Sequence, residues 1–155
     1  MASHSEEAVM QPVCQHLDAL GIANETRLLS AKHGPDVASE YARTAMERGL
    51  EVLVAGAGVA PELPGVLAAH TTLPVIAVPL VSDPPAGGDA LMSTTQLSPG
   101  IPVGTVDVGE AGTVNAAFYA AAILGLKYPQ IRRAIEEARA TLGDAFLAAS
   151  DSRQA

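Results

Sequence analysis

Residues 51–65 constrain the fold more than any other stretch. Glu51-Val52-Leu53-Val54-Ala55-Gly56 reads as a buried strand, Gly56-Ala57-Gly58-Val59-Ala60 as a glycine turn, and Pro61-Glu62-Leu63-Pro64-Gly65 as a proline-led helix start. Glycines at the carboxyl end of a parallel strand let the backbone turn sharply and approach a ligand, and the N–H groups of the helix that follows favour anions. A dinucleotide fingerprint needs a third glycine where this chain has Pro61, and a phosphate loop needs Gly-Lys-Ser/Thr, which is absent, so both are disfavoured. An ordinary strand-to-helix turn remains open beside a ligand-binding one.

The 155 residues suffice for one domain with a real core, and 48% hydrophobic against 17% charged residues fits a well-buried α/β protein. Aromatic residues are only 3% and tryptophan is absent, so Ala, Val, Leu and Ile must build the core, which suits a parallel sheet under close-packed, alanine-rich helices. A formal charge of −8 argues against nonspecific nucleic-acid or anionic-membrane binding, since both need a basic surface. There is no run of about 18 apolar residues. The opening MASHSEE is polar and acidic where a signal peptide is basic and then apolar, so a cytoplasmic protein is expected. A lone cysteine, Cys14, reads as a small core residue of the first helix.

A first helix is expected over 5–20, with Ser3 and Glu6 spaced as a capping box, Gly21 as its stop and Pro12 as a kink or late start. A short strand over 26–30 and a helix over 35–48, opened by Pro35 and closed by Gly49, follow. Strand 52–55 leads to a helix ending near His70, and 74–79 is the next buried strand. Residues 82–88 have the composition of an active-site cover. A short helix over 89–96, a strand over 101–106, a nearly all-apolar helix over 111–126 and an amphipathic helix over 129–148 complete the order. The apolar helix needs burial on all sides, which in a domain this small points to another subunit. His16 and His70 fall on helices and read as structural or solvent-facing.

In this order the chain resembles the PurE family of aminoimidazole ribonucleotide carboxylases and carboxyaminoimidazole ribonucleotide mutases of purine biosynthesis. The resemblance rests on Ser30-Ala31-Lys32-His33-Gly34-Pro35, on Ala55-Gly56-Ala57-Gly58 with Leu63-Pro64-Gly65, on Gly100-Ile101-Pro102-Val103-Gly104-Thr105, and on Asn115-Ala116-Ala117 leading to Ala120-Ala121-Ala122-Ile123-Leu124. It implies one domain over 1–155 with a flavodoxin-like three-layer α/β sandwich around a parallel sheet. It also implies a homo-oligomer, an octamer, whose sites are built from several subunits. The implied activity moves a carboxylate onto the ring carbon of aminoimidazole ribonucleotide, using carbon dioxide or bicarbonate and no metal, biotin or other cofactor. The family opens with a strand before its phosphate loop, and here the chain starts at that loop; the first strand is expected to be missing or truncated, through a start codon assigned too late.

By the same resemblance Ser3, Ser5 and Ser30 contact phosphate or ribose, Glu6 takes the place of an aspartate toward ribose hydroxyls, and His4 sits in the phosphate loop. Gly56, Gly58, Glu62 and Leu63 wall the carboxylate pocket. Two departures stand out. The family's catalytic histidine position holds Lys32, followed by His33 where an arginine or lysine is usual, so either of the two is the expected proton carrier. A lysine, with an unperturbed pKa of about 10.4, is a poor base unless desolvated, whereas an imidazole titrates near neutrality. Glu62 stands where mutases of the family place a histidine; its plain reading is a helix-start residue favoured by the helix dipole. Ser82-Asp83 and Gly87-Gly88-Asp89 resemble the lyase branch, whereas the glycine turn resembles the mutases. The alternatives are a paralogue acting on a different substrate and a catalytically silent nucleotide-binding oligomer.

Overall fold

A computed structural model describes residues 1, 3–58, 61–80, 91–92 and 94–151. After a 3₁₀ turn, His4–Glu6, the elements are α1 (Glu7–Ala19), α2 (Pro35–Thr44), β1 (Leu53–Ala57), α3 (Leu63–Ala69), β2 (Val75–Pro79), β3 (Gly104–Thr105), α4 (Glu110–Gly125) and α5 (Pro129–Asp151). The three strands are parallel in the order β1-β2-β3, with Leu53 opposite Val75 and Ile76 opposite Gly104. Helices cover both faces, as expected for a flavodoxin-like sandwich.

Strand parity sorts the core. Successive side chains of a strand point to opposite faces. Val54, Ile76 and Val78 accordingly join α1, α4 and α5 in one cluster with Met10, Val13, Leu17, Ala116, Ala120 and Ile131. Leu53, Ala55 and Val75 join α2 and α3 in the other, with Ala38, Ala42, Leu63 and Leu67. Every residue of β2 is buried, which explains why its sequence shows no polar alternation.

Several expectations shift. α1 runs through Pro12, whose missing N–H removes one hydrogen bond without stopping the helix. Residues 26–30 join no sheet ladder among the described residues; the Leu29 N–H donates to the Met1 carbonyl at 2.9 Å, and the Ser30 carbonyl accepts from the Gly34 N–H. The strand expected over 101–106 narrows to a ladder at Gly104–Thr105 with the Val106 N–H donating to Ala77 beyond it, and Pro102 ahead of it has no N–H to give. α2 ends at Thr44 and the chain continues in turns to Gly49, which takes φ +88°. Of the short helix expected over 89–96, residues 91–92 and 94–95 are helical. The cover expected at 82–88 and the lyase-like pattern lie outside the described residues.

α4 buries Gly112, Thr113, Ala116, Ala117, Ala120, Ala121 and Gly125 within the chain itself, against α1, β2 and α5. One position is especially tight: a Cβ at Gly112 would lie 1.8 Å from the Asp107 carbonyl oxygen. Glycine to alanine inside a helix ordinarily gains about 0.5–1 kcal/mol. Here the sign is reversed, and Gly112→Ala is expected to lose about 1–3 kcal/mol in urea unfolding. Unchanged or increased stability would contradict the packing described.

The β1 and α4 ends are tied by Glu51, which accepts from the Tyr128 hydroxyl and, at 2.9 Å, from Lys127 Nζ. These two bonds, Tyr128 first, hold its carboxyl below the ordinary 4.5. A depressed folded value means stability present above the unfolded value and lost as pH falls through the folded one. The thermal midpoint of the native protein should therefore fall more steeply below about pH 4.5 than that of Glu51→Gln. Parallel pH profiles of the two proteins would remove the role assigned to this contact.

Candidate active site

Three turns leave the carboxyl ends of neighbouring extended segments. The Met1–Leu29 backbone bond sets the Ser3–Glu6 turn beside the Ser30–Gly34 turn, and β1 delivers Gly58 and, four residues on, Glu62 at the start of α3. This is the end of a parallel sheet where α/β folds bind ligands, because helix N-termini and loop N–H groups converge there.

In the first turn, Ser3 and Ser5 hydroxyls are 2.7 Å apart and Glu6 Oε2 accepts from the Ser3 N–H at 3.3 Å, one arm of the expected capping box. Glu6 is buried, at 5% exposure, and lies against the glycine turn. A Cβ at Gly58 would come within 2.7 Å of Glu6 Oε1, so the absence of a side chain at 58 makes room for the carboxylate. Gly56 has a different neighbourhood: its α-carbon faces Met10 and Leu80 in the core. Leu63 is fully buried in the cluster beneath α3 and anchors the turn from below.

The second turn is closed by its own serine. Ser30 Oγ accepts from the His33 N–H at 3.1 Å and lies 3.0 Å from His33 Nδ1, while the Gly34 N–H donates to the Ser30 carbonyl. The serine thus holds the imidazole by one ring nitrogen and leaves Nε2 for other partners. Lys32 Nζ stands 3.9 Å from Glu62 Oε1, with the side chains 62% and 38% exposed. Lys32 and Glu62, each expected from the sequence to be a departure from the family pattern, therefore form an open ion pair. Neither is in the dry environment a lysine base requires.

Asp107 and Asn115 were not singled out as site residues on sequence grounds. Asn115 Nδ2 donates to Asp107 Oδ2 at 2.6 Å, and the Gly109 N–H on the same loop donates to Pro79, at the carboxyl end of β2. The available signal was one amide on an otherwise apolar helix. His70 Nδ1–H donates to the Val66 carbonyl as a helix cap, His16 stacks obliquely near Phe118, and His4 meets Glu7 on the surface. Cys14 lies half-buried on α1, 3.2 Å from Thr26 Oγ1. Among the described residues no group of three or more His, Cys, Asp or Glu side chains is placed to hold a metal ion.

The chain is similar to the N5-carboxyaminoimidazole ribonucleotide mutase of Pseudomonas aeruginosa, at 44% identity over 155 residues that span all of this chain and 95% of the relative. It is similar to the Bacillus subtilis enzyme of the same name at 44% identity, across 97% of this chain and 93% of that one. The backbone superposes on the crystal structure of Treponema denticola PurE with a TM-score of 0.86 at 21% identity, covering 98% and 94% of the two chains, which establishes the shared fold. The profile of the family described as AIR carboxylase matches residues 1–145, and with it the chain belongs to that family, the PurE family.

Proposed function

We propose that this protein is a PurE-type mutase that moves the carboxylate of N5-carboxyaminoimidazole ribonucleotide from the exocyclic nitrogen to the ring carbon. The observation that carries the reading is the end-to-end similarity to mutases at 44% identity. The step needs a carboxylate released as carbon dioxide, a proton given to the nitrogen, carbon–carbon bond formation to the same carbon dioxide, and removal of the ring-carbon proton. One proton carrier serves both transfers.

His33 is the residue we assign to that role. An imidazole has one ring nitrogen to donate and one to accept a proton, and Ser30 fixes the ring through Nδ1, leaving Nε2 for the substrate. Lys32 supplies positive charge for the substrate carboxylate or phosphate, and Glu62 holds that ammonium in place. Ser3 and Ser5 offer hydroxyls to phosphate, and Glu6 and Gly58 shape the ribose end of the site. The exposed stripe Ala111, Asn115, Tyr119 and Ala122 on α4, with Leu126 85% exposed beyond it, supports a homo-oligomer, for which we infer the octamer of the family. An acidic chain without a described membrane-crossing helix fits a cytoplasmic, small-molecule enzyme.

The Lys32–Glu62 pair also favours a second reading, a paralogue acting on another substrate or a silent nucleotide-binding oligomer, because it puts a carboxylate where a substrate carboxylate would approach. Complementation of a purine auxotroph lacking the enzyme separates the two. Rescue is expected from the native chain; failure to rescue by soluble protein leaves the second reading. In purified protein, His33→Ala should lower kcat by about 10²–10⁴-fold. Lys32→Ala should raise KM about tenfold and change kcat less, the signature of lost binding. The reverse pattern would make Lys32 the proton carrier. As a stability contact the pair should count for little: a double-mutant cycle with Lys32→Met and Glu62→Gln is expected to give coupling below about 1 kcal/mol.

A further inference from the structure

The Lys32 ammonium and the Glu62 carboxylate attract each other without bonding. Their 3.9 Å separation exceeds the roughly 2.7–3.2 Å of a nitrogen-to-oxygen hydrogen bond. Among the described residues neither side chain makes a hydrogen bond to any other group. The ammonium has three N–H groups to give, and both carboxylate oxygens have lone pairs to fill. The other titratable groups of these turns are engaged: His33 Nδ1 is held by Ser30, and Glu6 accepts from the Ser3 N–H while buried against Gly58.

A ligand that closes the gap between Lys32 and Glu62 must carry an anionic acceptor for the first and, next to it, a polar hydrogen for the second. The nucleotide of the mutase reading carries that pair in both of its isomers. In the substrate the carboxylate is bonded to the exocyclic nitrogen, which keeps one N–H; in the product it sits on the neighbouring ring carbon, beside the free amine. The imidazole ring itself offers one acceptor nitrogen and no N–H, so the exocyclic group holds the only polar hydrogen on the base.

We propose that Lys32 and Glu62 form a donor–acceptor clamp on the base, in which Lys32 donates to the carboxylate and Glu62 accepts the exocyclic N–H. The inference rests on the mutase reading and makes Glu62 the residue that selects the amine. The two negative groups then do not confront each other, because the N–H of the ligand faces Glu62 while its carboxylate faces the ammonium. One ion pair at 3.9 Å is exchanged for two charge-assisted hydrogen bonds, between groups already held close together. The N–H stays on its nitrogen while the carboxylate shifts to the adjacent carbon, so the clamp holds both ends of the transfer.

Calorimetric titration with three ribonucleotides tests the clamp: 5-aminoimidazole-4-carboxylate, its analogue without the amine, and 5-aminoimidazole without the carboxylate. The native chain should bind the first about tenfold or more tighter than either of the others. Glu62→Leu should erase the preference for the amine and keep that for the carboxylate, and Lys32→Met should do the reverse. Melting curves that match the native one show that both variants are folded, as the open position of the pair predicts. An amine preference that is absent from the native chain or survives in Glu62→Leu overturns the clamp and leaves the mutase reading standing. So does a loss in Lys32→Met that is equal for all three ligands, which would put Lys32 at the phosphate they share. Failure of all three to bind the native chain overturns the mutase reading itself, and the clamp with it.

Discussion

The register of β1 on β2 is the constraint on which the rest of the molecule depends. With Leu53 opposite Val75 and Gly56 opposite Val78, one parity of side chains feeds the layer of α1, α4 and α5 and the other feeds α2 and α3. A slip of one residue would exchange every side chain between layers of different depth. The same register determines where the strands stop, and therefore where the glycine turn and the 106–109 loop emerge on either side of the end of β2. The loop is held at that level by the Val106 and Gly109 N–H groups donating to Ala77 and Pro79.

On that frame the candidate site is a set of mutually fitted turns. Glu6 reaches under the glycine turn only because position 58 carries no Cβ, and Ser30 uses one hydroxyl to close its turn and to hold His33. Beside these turns the Lys32 ammonium and the Glu62 carboxylate stand 3.9 Å apart. Their exposure and separation make them a charge arrangement more than a scaffold contact.

Much of this was legible in the chain. Strands β1 and β2 announced themselves as short apolar runs bounded by glycine or proline, and α4 as an apolar helix, because such patterns are local. What was not legible depends on neighbours distant in sequence. Residues 26–30 carry strand-like composition but lack a partner along most of their length, and 101–106 lose pairing to Pro102, so composition overstated both. In the site, the motifs located the turns, yet the facing of Lys32 and Glu62 across 30 positions is tertiary. Gly56 and Gly58 looked equivalent in sequence and share one face of the strand; only their position along it differs, with the former over Met10 and the latter beside Glu6.

The buried face of α4 has one more consequence. Ala116, Ala117, Ala120 and Ala121 have no side-chain torsions that folding must freeze, so this layer fills space without the rotamer entropy that leucine or methionine would forfeit. Nor can it adapt by changing rotamers. Any movement of α4 relative to the sheet must be a rigid displacement of backbone, which makes the helix a fixed datum for the loops at its amino end.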